Sequence, residues 1–407
     1  MLKMKDSGVE WIGEIPQDWR IIKFKYLHSG MNTGEGIDKT FWSTNETDKI
    51  FYTAGLVPIR TTYSDFPEWK LTRENELLFA RNGTPYVYYP EKGACYTDHI
   101  IRAKMNKGVN RRFVQYSLQQ SIYSIVVESV SIATWSAYLW NEQLIPYPST
   151  EKQQRIADYL DSKCSKIDSI IEKQQAVIEK LKEYKFSIIT ETVTKGLNSD
   201  VEMKDSGVEW IGEVPKHWGV VKFGRCISIA SNLVNPNNYL DYPQVSPECI
   251  EKNTAKLLDY KTVFESGVIS WNHLFYKGQI IYSKIRPLLN KVIIAPFDGL
   301  CSADMYPIDT TENHKFVVYV ILSNYFKAQV GVVVENRVKM PKINQSELSN
   351  IVVFMPCVDE QKRIVEFLDE KCEKIERIIA SKELLIKKLM EYRKSLIYEV
   401  VTGKKEV

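Results

Sequence analysis

Only five histidines are spread through the 407 residues, and no two stand at metal-ligand spacing. No His-Glu-x-x-His occurs, which removes the zinc hydrolases built on that motif. The seven cysteines are odd in number and scattered, with no Cys-x-x-Cys pair, so neither a disulfide framework nor a zinc ribbon is expected. No apolar run is long enough to span a bilayer and no segment reads as a secretory signal, so a cytoplasmic protein is expected. The phosphate-binding Gly-x-x-x-x-Gly-Lys-Ser/Thr is missing: Gly8 and Gly13 have the glycine spacing, but Glu14 follows. No glycine-rich dinucleotide or adenosylmethionine loop follows a strand, and there is no Asn/Asp-Pro-Pro-Tyr/Phe tetrapeptide of the amino-methyltransferases. Asp48, Glu68 and Lys70 come nearest to a nuclease triad, in which carboxylates hold a cation and a lysine polarises the phosphate. That pattern is loose and is not repeated elsewhere in the chain.

What the chain has instead is duplication. Met4-Lys5-Asp6-Ser7-Gly8-Val9-Glu10-Trp11-Ile12-Gly13-Glu14 returns unchanged as Met203–Glu213, and the match runs on through Pro16/Pro215, Trp19/Trp218, Lys23/Lys222 and Phe24/Phe223. A second block pairs Gln153, Arg155, Ile156, Leu160, Asp161, Lys163, Cys164 and Ile167 with Gln361, Arg363, Ile364, Leu368, Asp369, Lys371, Cys372 and Ile375. Between these blocks lie two stretches, 20–147 and 219–355, with little in common. The period is far longer than that of a solenoid repeat, which is roughly 20–50 residues. It implies two domain-sized units related by a pseudo-twofold. Shared frames do a common job and unlike inserts read different things. The repeated tryptophans fit core anchors, because identical residues cannot supply differing specificity.

The net charge is +3, with 44% hydrophobic and 26% charged residues, as in a soluble globular chain. Residues 20–147 hold 15 Lys and Arg against 12 Asp and Glu, and residues 219–355 hold 14 against 11. Modestly basic inserts suit a polyanion.

The second repeated block carries a heptad pattern. Leu160, Ile167, Gln174, Leu181 and Ile188 recur every seven residues, as do Leu368, Ile375, Lys382, Leu389 and Leu396. Companion rows run through Ala157, Cys164, Ile171, Ile178 and Lys185, and through Val365, Cys372, Ile379, Ile386 and Arg393. Steps of three and four place both rows on one seam of a long helix. Neither copy contains Gly or Pro before Gly196 or Gly403, which predicts two helices of about 45 residues. Thr150 and Asp359 are candidate caps. A lone seam invites aggregation, so the two copies are expected to pack on each other, antiparallel under the pseudo-twofold. Ile156, Ile170, Val177, Ile189, Ile364, Ile378, Leu385 and Ile397 lie off the seam, a surplus that points to helices docking from other subunits. The expected fold is α+β: two mixed α/β domains separated by two long antiparallel coiled-coil helices. The boundaries are 1–147, 148–199, 200–355 and 356–407.

Within the inserts, Glu76–Pro85 and Gly278–Lys291 each read as a buried strand breaking into a basic, amide-rich turn. Arg81, Asn82 and Thr84 follow the first, and Lys284, Arg286, Asn290 and Lys291 the second. Arg and Lys reach guanine O6 and N7, and Asn pairs with adenine N6 and N7. Trp135 in the first insert, and Arg337 with Lys339 in the second, precede the last strands and are secondary contact candidates.

The openings Asp-Ser-Gly-Val-Glu-Trp-Ile-Gly-Glu-(Ile/Val)-Pro-x-x-Trp and the helix entries Pro148–Ile156 and Pro356–Ile364 now carry a signature. So does Tyr282–Lys291, similar to a recurrent target-recognition segment. In this duplicated order the chain resembles the specificity subunits of Type I restriction–modification enzymes over essentially its full length. Lys152 stands at the first helix entry where that family commonly has Glu. The resemblance implies two target-recognition domains, each reading one half of a split DNA sequence, and no chemistry in the subunit itself. It implies two adenine-N6 methyltransferase subunits as partners, and ATP-driven restriction subunits in the full assembly. Adenosylmethionine, ATP and magnesium would then be bound by those partners and not by this chain. A stand-alone sequence-specific nuclease and a DNA-binding scaffold without enzyme partners are the alternatives that the residues alone leave open. About 45 helical residues span roughly 65 Å, which limits the unread spacer to fewer than roughly 20 base pairs.

Overall fold

The computed structural model describes residues 3–82, 85–125, 134–208, 211–337 and 339–407. The chain forms two compact units, Met1–Gln174 with Leu384–Val407, and Gln175–Glu383. Each unit owns part of both long helices.

Unit 1 opens with the hairpin β1 (Met4–Asp6) and β2 (Glu14–Pro16), followed by β3 (Arg20–Lys23). The hairpin loop needs glycine at Gly8 (φ 68°) and Gly13 (φ 65°), a turn requirement that explains their spacing. The insert contains β4 (His28–Thr33), β5 (Trp42–Ser43), β6 (Lys49–Tyr52), β7 (Ile59–Thr61) and β8 (Glu76–Ala80). It continues with β9 (Val87–Tyr88), β10 (Cys95–Tyr96), β11 (Ile100–Met105), α1 (Arg111–Ile125) and α2 (Ala137–Asn141). Two four-stranded sheets result, ordered β4-β11-β8-β9 and β10-β6-β7-β5. The insert closes with β12 (Leu144–Tyr147), which pairs antiparallel with β3, Leu144 opposite Lys23 and Tyr147 opposite Arg20. Entry and exit of the insert are thus zipped together. Helix α3 (Thr150–Lys195) follows. The unit 1 core joins Trp19, Phe24, Phe79, Phe113 and Trp140 to Ile156 and Leu160 and to Leu396, Ile397 and Val400.

Unit 2 repeats the scheme with β13 (Met203–Asp205), β14 (Glu213–Pro215) and β15 (Gly219–Lys222). Then come β16 (Ile227–Ile229), β17 (Leu233–Val234), β18 (Pro243–Val245), β19 (Lys261–Thr262) and the short α4 (Val263–Ser266). Next are β20 (Asn272–Phe275), β21 (Ile280–Ser283), β22 (Val292–Ile294), β23 (Gly299–Cys301) and β24 (Met305–Thr310). Helices α5 (His314–Leu322), α6 (Asn324–Val334) and α7 (Gln345–Ser349), strand β25 (Val352–Met355) and helix α8 (Val358–Val401) complete the chain. Sheet order β16-β24-β21-β22 matches β4-β11-β8-β9 strand for strand, whereas the second sheet has five strands, β17-β20-β23-β18-β19. Strands β15 and β25 zip this insert, Gly219 opposite Met355 and Lys222 opposite Val352. Trp218, Phe223, Phe316 and Phe326 build its core with Ile189, Val193, Ile364 and Leu368 of the long helices. Among the described residues no single helix is long and apolar enough to cross a membrane.

The expected helices are 46 and 44 residues long. The first cap differs from expectation: Ser149 Oγ accepts from the Lys152 N–H at 3.4 Å, while Thr150 begins the helix and donates its hydroxyl to Gly108 O. Asp359 lies inside the first turn of α8, where a carboxylate meets the helix dipole, and Val358 begins that helix.

Candidate nucleic-acid interface

Each insert is bolted to a long helix by the same side chains. Gln153 is fully buried; its Oε1 accepts from the Asn110 N–H at 3.2 Å and its Nε2 donates to Pro148 O at 2.9 Å. Gln361, equally buried, accepts from the Asn313 N–H at 2.9 Å and donates to Pro356 O at 3.0 Å. Two turns on, Asp161 accepts from Arg112 Nε at 2.5 Å and the Tyr116 hydroxyl at 2.6 Å. Asp369 accepts from Lys315 Nζ at 2.5 Å and the Tyr319 hydroxyl at 2.7 Å. Burial pushes both phenols up, and the bond to the carboxylate pushes the same way, so both remain donors. Cys164 and Cys372 sit beside them as buried thiols whose pKa burial also raises, which keeps the unreactive protonated form.

Where β8 and β21 end, the two segments singled out in the sequence meet. Strand β8 runs out at Arg81, whose N–H donates to His99 O at 2.9 Å while its carbonyl accepts from the Trp135 N–H at 2.7 Å. Strand β21 runs out at Lys284, whose N–H donates to Asp304 O at 3.0 Å while its carbonyl accepts from the Ile343 N–H at 2.9 Å. The same main-chain bracket therefore holds a basic residue at the same place in both units. Arg81 is exposed; Lys284 is half-buried, its ammonium 5.3 Å from the Tyr306 ring centre. The bracket pairs Arg81 with Lys284 and not with Arg286. Beside Arg81, Asn82 Nδ2 lies 2.9 Å from His99 Nδ1. Arg286 is exposed at the head of a turn, and Lys339 is exposed on the adjoining loop. Thr84 lies outside the described residues.

Three further candidates have partners within the chain. Trp135 is 5% exposed and packs against Trp140 with ring centres 5.1 Å apart, a core role and not a stacking platform. Asn290 is 2% exposed, its amide spent on Ile321 O at 2.8 Å. Arg337 is paired with both carboxylate oxygens of Glu347, so its charge is already matched within the chain. Lys291 is half-buried and donates to Pro247 O at 2.6 Å. Lys70 is tied to Glu35, and among the described residues no group of three His, Cys, Asp or Glu could hold a metal.

Sequence reading missed a set of exposed aromatics. Trp42 and Trp69 face solvent with Lys39 and Lys70 at 5.5 and 5.2 Å from their ring centres. Phe264, Ile269 and Trp271 are exposed on unit 2. Bases can stack on such surfaces. For Trp69 the signal in the string was the adjacent Lys70, too common a pair to single out.

On the helices, seam residues Leu160, Ile167, Leu368, Ile375 and Leu396 are buried, and Gln174, Leu181, Ile188, Lys382 and Leu389 are partly so. The polar breaks have partners. Lys185, 8% exposed, pairs with Glu376 at 2.5 Å in unit 2. Arg393 stands 3.0 Å from Asp168 in unit 1, an ion pair without hydrogen-bond alignment. Of the surplus apolar residues, Ile156, Ile189, Ile364 and Ile397 are buried in their own units. Ile170 and Val177 remain exposed, joined by Tyr184, and Ile378 and Leu385 remain exposed, joined by Tyr392. Each trio recurs at seven-residue steps, so each is one stripe along one helix.

A model of the Type I restriction modification DNA specificity domain matches residues 215–385. The Type I restriction enzyme EcoDI specificity subunit of Escherichia coli is 32% identical over 379 residues, 88% of this chain and 82% of that protein. The MjaVIII specificity subunit of Methanocaldococcus jannaschii is 22% identical over 420 residues, 96% of this chain and 93% of its own length. A chain from a solved structure, described as the structural basis of assembly and conformational transition of the type I R-M system, superposes with a TM-score of 0.69. That match covers 96% of this chain and 99% of the other at 12% identity, a likeness of fold.

Proposed function

Because this chain belongs to the specificity subunits of Type I restriction–modification systems, we propose that its two units each read one half of a split, asymmetric DNA target. The chain is the non-catalytic, DNA-recognising component of such a system. The observation that carries the division of labour is the repeated bracket: one backbone arrangement presents Arg81 in unit 1 and Lys284 in unit 2, inside inserts of unlike sequence. A fixed mount with changed side chains is what two independent readers of different bases require.

The two exposed stripes, Ile170/Val177/Tyr184 and Ile378/Leu385/Tyr392, occupy equivalent places in the repeat. Equivalent apolar stripes suit two copies of one partner, the adenine-N6 methyltransferase subunit; restriction subunits join in the complete assembly. Adenosylmethionine, ATP and magnesium belong to those partners, and the complex works on cytoplasmic DNA. Helix length sets the spacer: four residues added within 190–196 lengthen a helix by about 6 Å, close to two base pairs.

Exchanging residues 20–147 for the insert of a relative tests the reading. One half of the methylated site should change and the other should stay, as read by sequencing methylated bases in cells carrying the system. If both halves change, or neither, the two-reader scheme is wrong. Arg81→Ala and Lys284→Ala should each relax one half-site by roughly 1–3 kcal/mol of discrimination if they touch base edges. Even weakening on all sequences, with a shallower salt dependence, would make them phosphate contacts.

A further inference from the structure

The turn Arg286–Asn290 is held in a backbone conformation that its residues disfavour. Arg286 has φ 43° and ψ 53°, and Asn290 has φ 49° and ψ 55°. Met340, on the loop alongside, has φ 45°. Left-handed backbone at non-glycine residues persists only where the surroundings over-determine it, and it collects at functional sites. Here the surroundings can be named. The Arg286 N–H donates to Pro341 O at 2.8 Å, and the Leu289 N–H closes the turn on Arg286 O at 2.9 Å. The Asn290 N–H donates to Pro287 O at 2.9 Å, and its carbonyl accepts from the Asn253 N–H at 3.3 Å. Its side-chain amide donates to Ile321 O at 2.8 Å, in the last turn of α5, where helix carbonyls lack partners of their own. Asn290 is 2% exposed, while Arg286 is exposed and, among the described residues, has no acidic partner.

We propose that Asn290 is a positioning residue for DNA recognition: its buried amide pins the turn to α5 and thereby fixes Arg286 at the surface to read the unit 2 half-site. This rests on the reading of the segment 284–291 as facing DNA. Asparagine meets both demands of the position. It tolerates left-handed backbone better than other non-glycine residues, and its amide reaches a carbonyl that water does not. Glycine would accept the backbone and lose the tether. Alanine would lose both.

The test uses the complex assembled with its methyltransferase subunits and a panel of duplexes altered one base pair at a time across both half-sites. Arg286→Ala should lower discrimination at one or two positions of the unit 2 half-site by between about fivefold and a hundredfold. Asn290→Ala should relax those same positions by about tenfold, and Asn290→Gly by less, with the unit 1 half-site untouched. Asn290→Gly keeps the left-handed backbone that alanine strains, and its thermal unfolding should fall less than that of Asn290→Ala. If Arg286→Ala alters discrimination but both Asn290 variants only slow methylation of all duplexes evenly, the positioning role is wrong. If Arg286→Ala itself alters nothing, the DNA-facing reading of this turn is wrong.

Discussion

Asp161 and Asp369 are served by unlike cations, Arg112 in unit 1 and Lys315 in unit 2, yet both also accept a tyrosine hydroxyl from one turn further along the same helix. Gln153 and Gln361 do the same work with the same atoms. The second sheets show the opposite: four strands against five, with β17 and β20 added on one side of the parallel pair β18–β23 and nothing in the place of β5 on the other. The units agree at the glutamine and aspartate mounts, in the order of the first sheet and at the strand-end bracket, and part company in the second sheet. A recognition insert is therefore constrained at its mount and at its strand-end bracket, and free in the loops and edge strands between.

Removing the frame from one unit gives the largest expected effect. Trp218 is 1% exposed, against Gly196 at the end of α3, and Trp19 is 4% exposed, against Gly403 at the end of α8. Trp218→Ala should destabilise by about 3–5 kcal/mol through the cavity left, and Trp19→Ala by a similar amount. Hydrogen exchange should show each substitution loosening its own unit first. Loss of protection spread evenly over both would mean that the units do not fold separately.

The mounts come next. Gln361→Ala and Gln153→Ala each strand a part-buried N–H and a proline carbonyl, and should cost about 1–3 kcal/mol in denaturant titration. Gln361 should cost more, because it also donates to Glu312 at 2.6 Å, a bond without a counterpart at Gln153. Equal costs would make that extra bond idle.

The smallest difference concerns pH. Burial pushes the Glu376 carboxyl up, but Lys185, helped by Lys256 at 3.1 Å, outweighs it and holds the carboxyl below the usual range. A depressed carboxylate contributes fully above its unfolded value of about 4.3, and that contribution fades as pH falls through the lower folded value. Unit 2 should therefore gain lability over that window, and Glu376→Gln should flatten the dependence. A melting profile of the Gln variant parallel to the parent's through the same window would exclude this carboxylate as its source.

The duplication, both long helices and the closing strands of each insert were legible because they are written as spacing: identical blocks, a seven-residue row, apolar runs beside proline. The proposed reading positions were legible only as neighbourhoods. Arg81 aligns with Lys284 through main-chain bonds that leave no mark on residue identity. Asn290 sits in a string with every appearance of a contact residue, and its 2% exposure and bond to Ile321 O leave no trace in that string. Trp135 follows the same rule: an aromatic beside a polar turn can face either way, and packing against Trp140 decided it. Tyr116 and Tyr319 escaped notice because inserts of different length hide their equivalence.

A bracket made of N–H and C=O groups is blind to the side chain it holds. Arg81 could become Gln, or Lys284 become Ser, without disturbing the bonds to His99 and Asp304 that fix the strand end. Substitution at these two positions thus leaves the main-chain bracket standing, whichever side chain it presents.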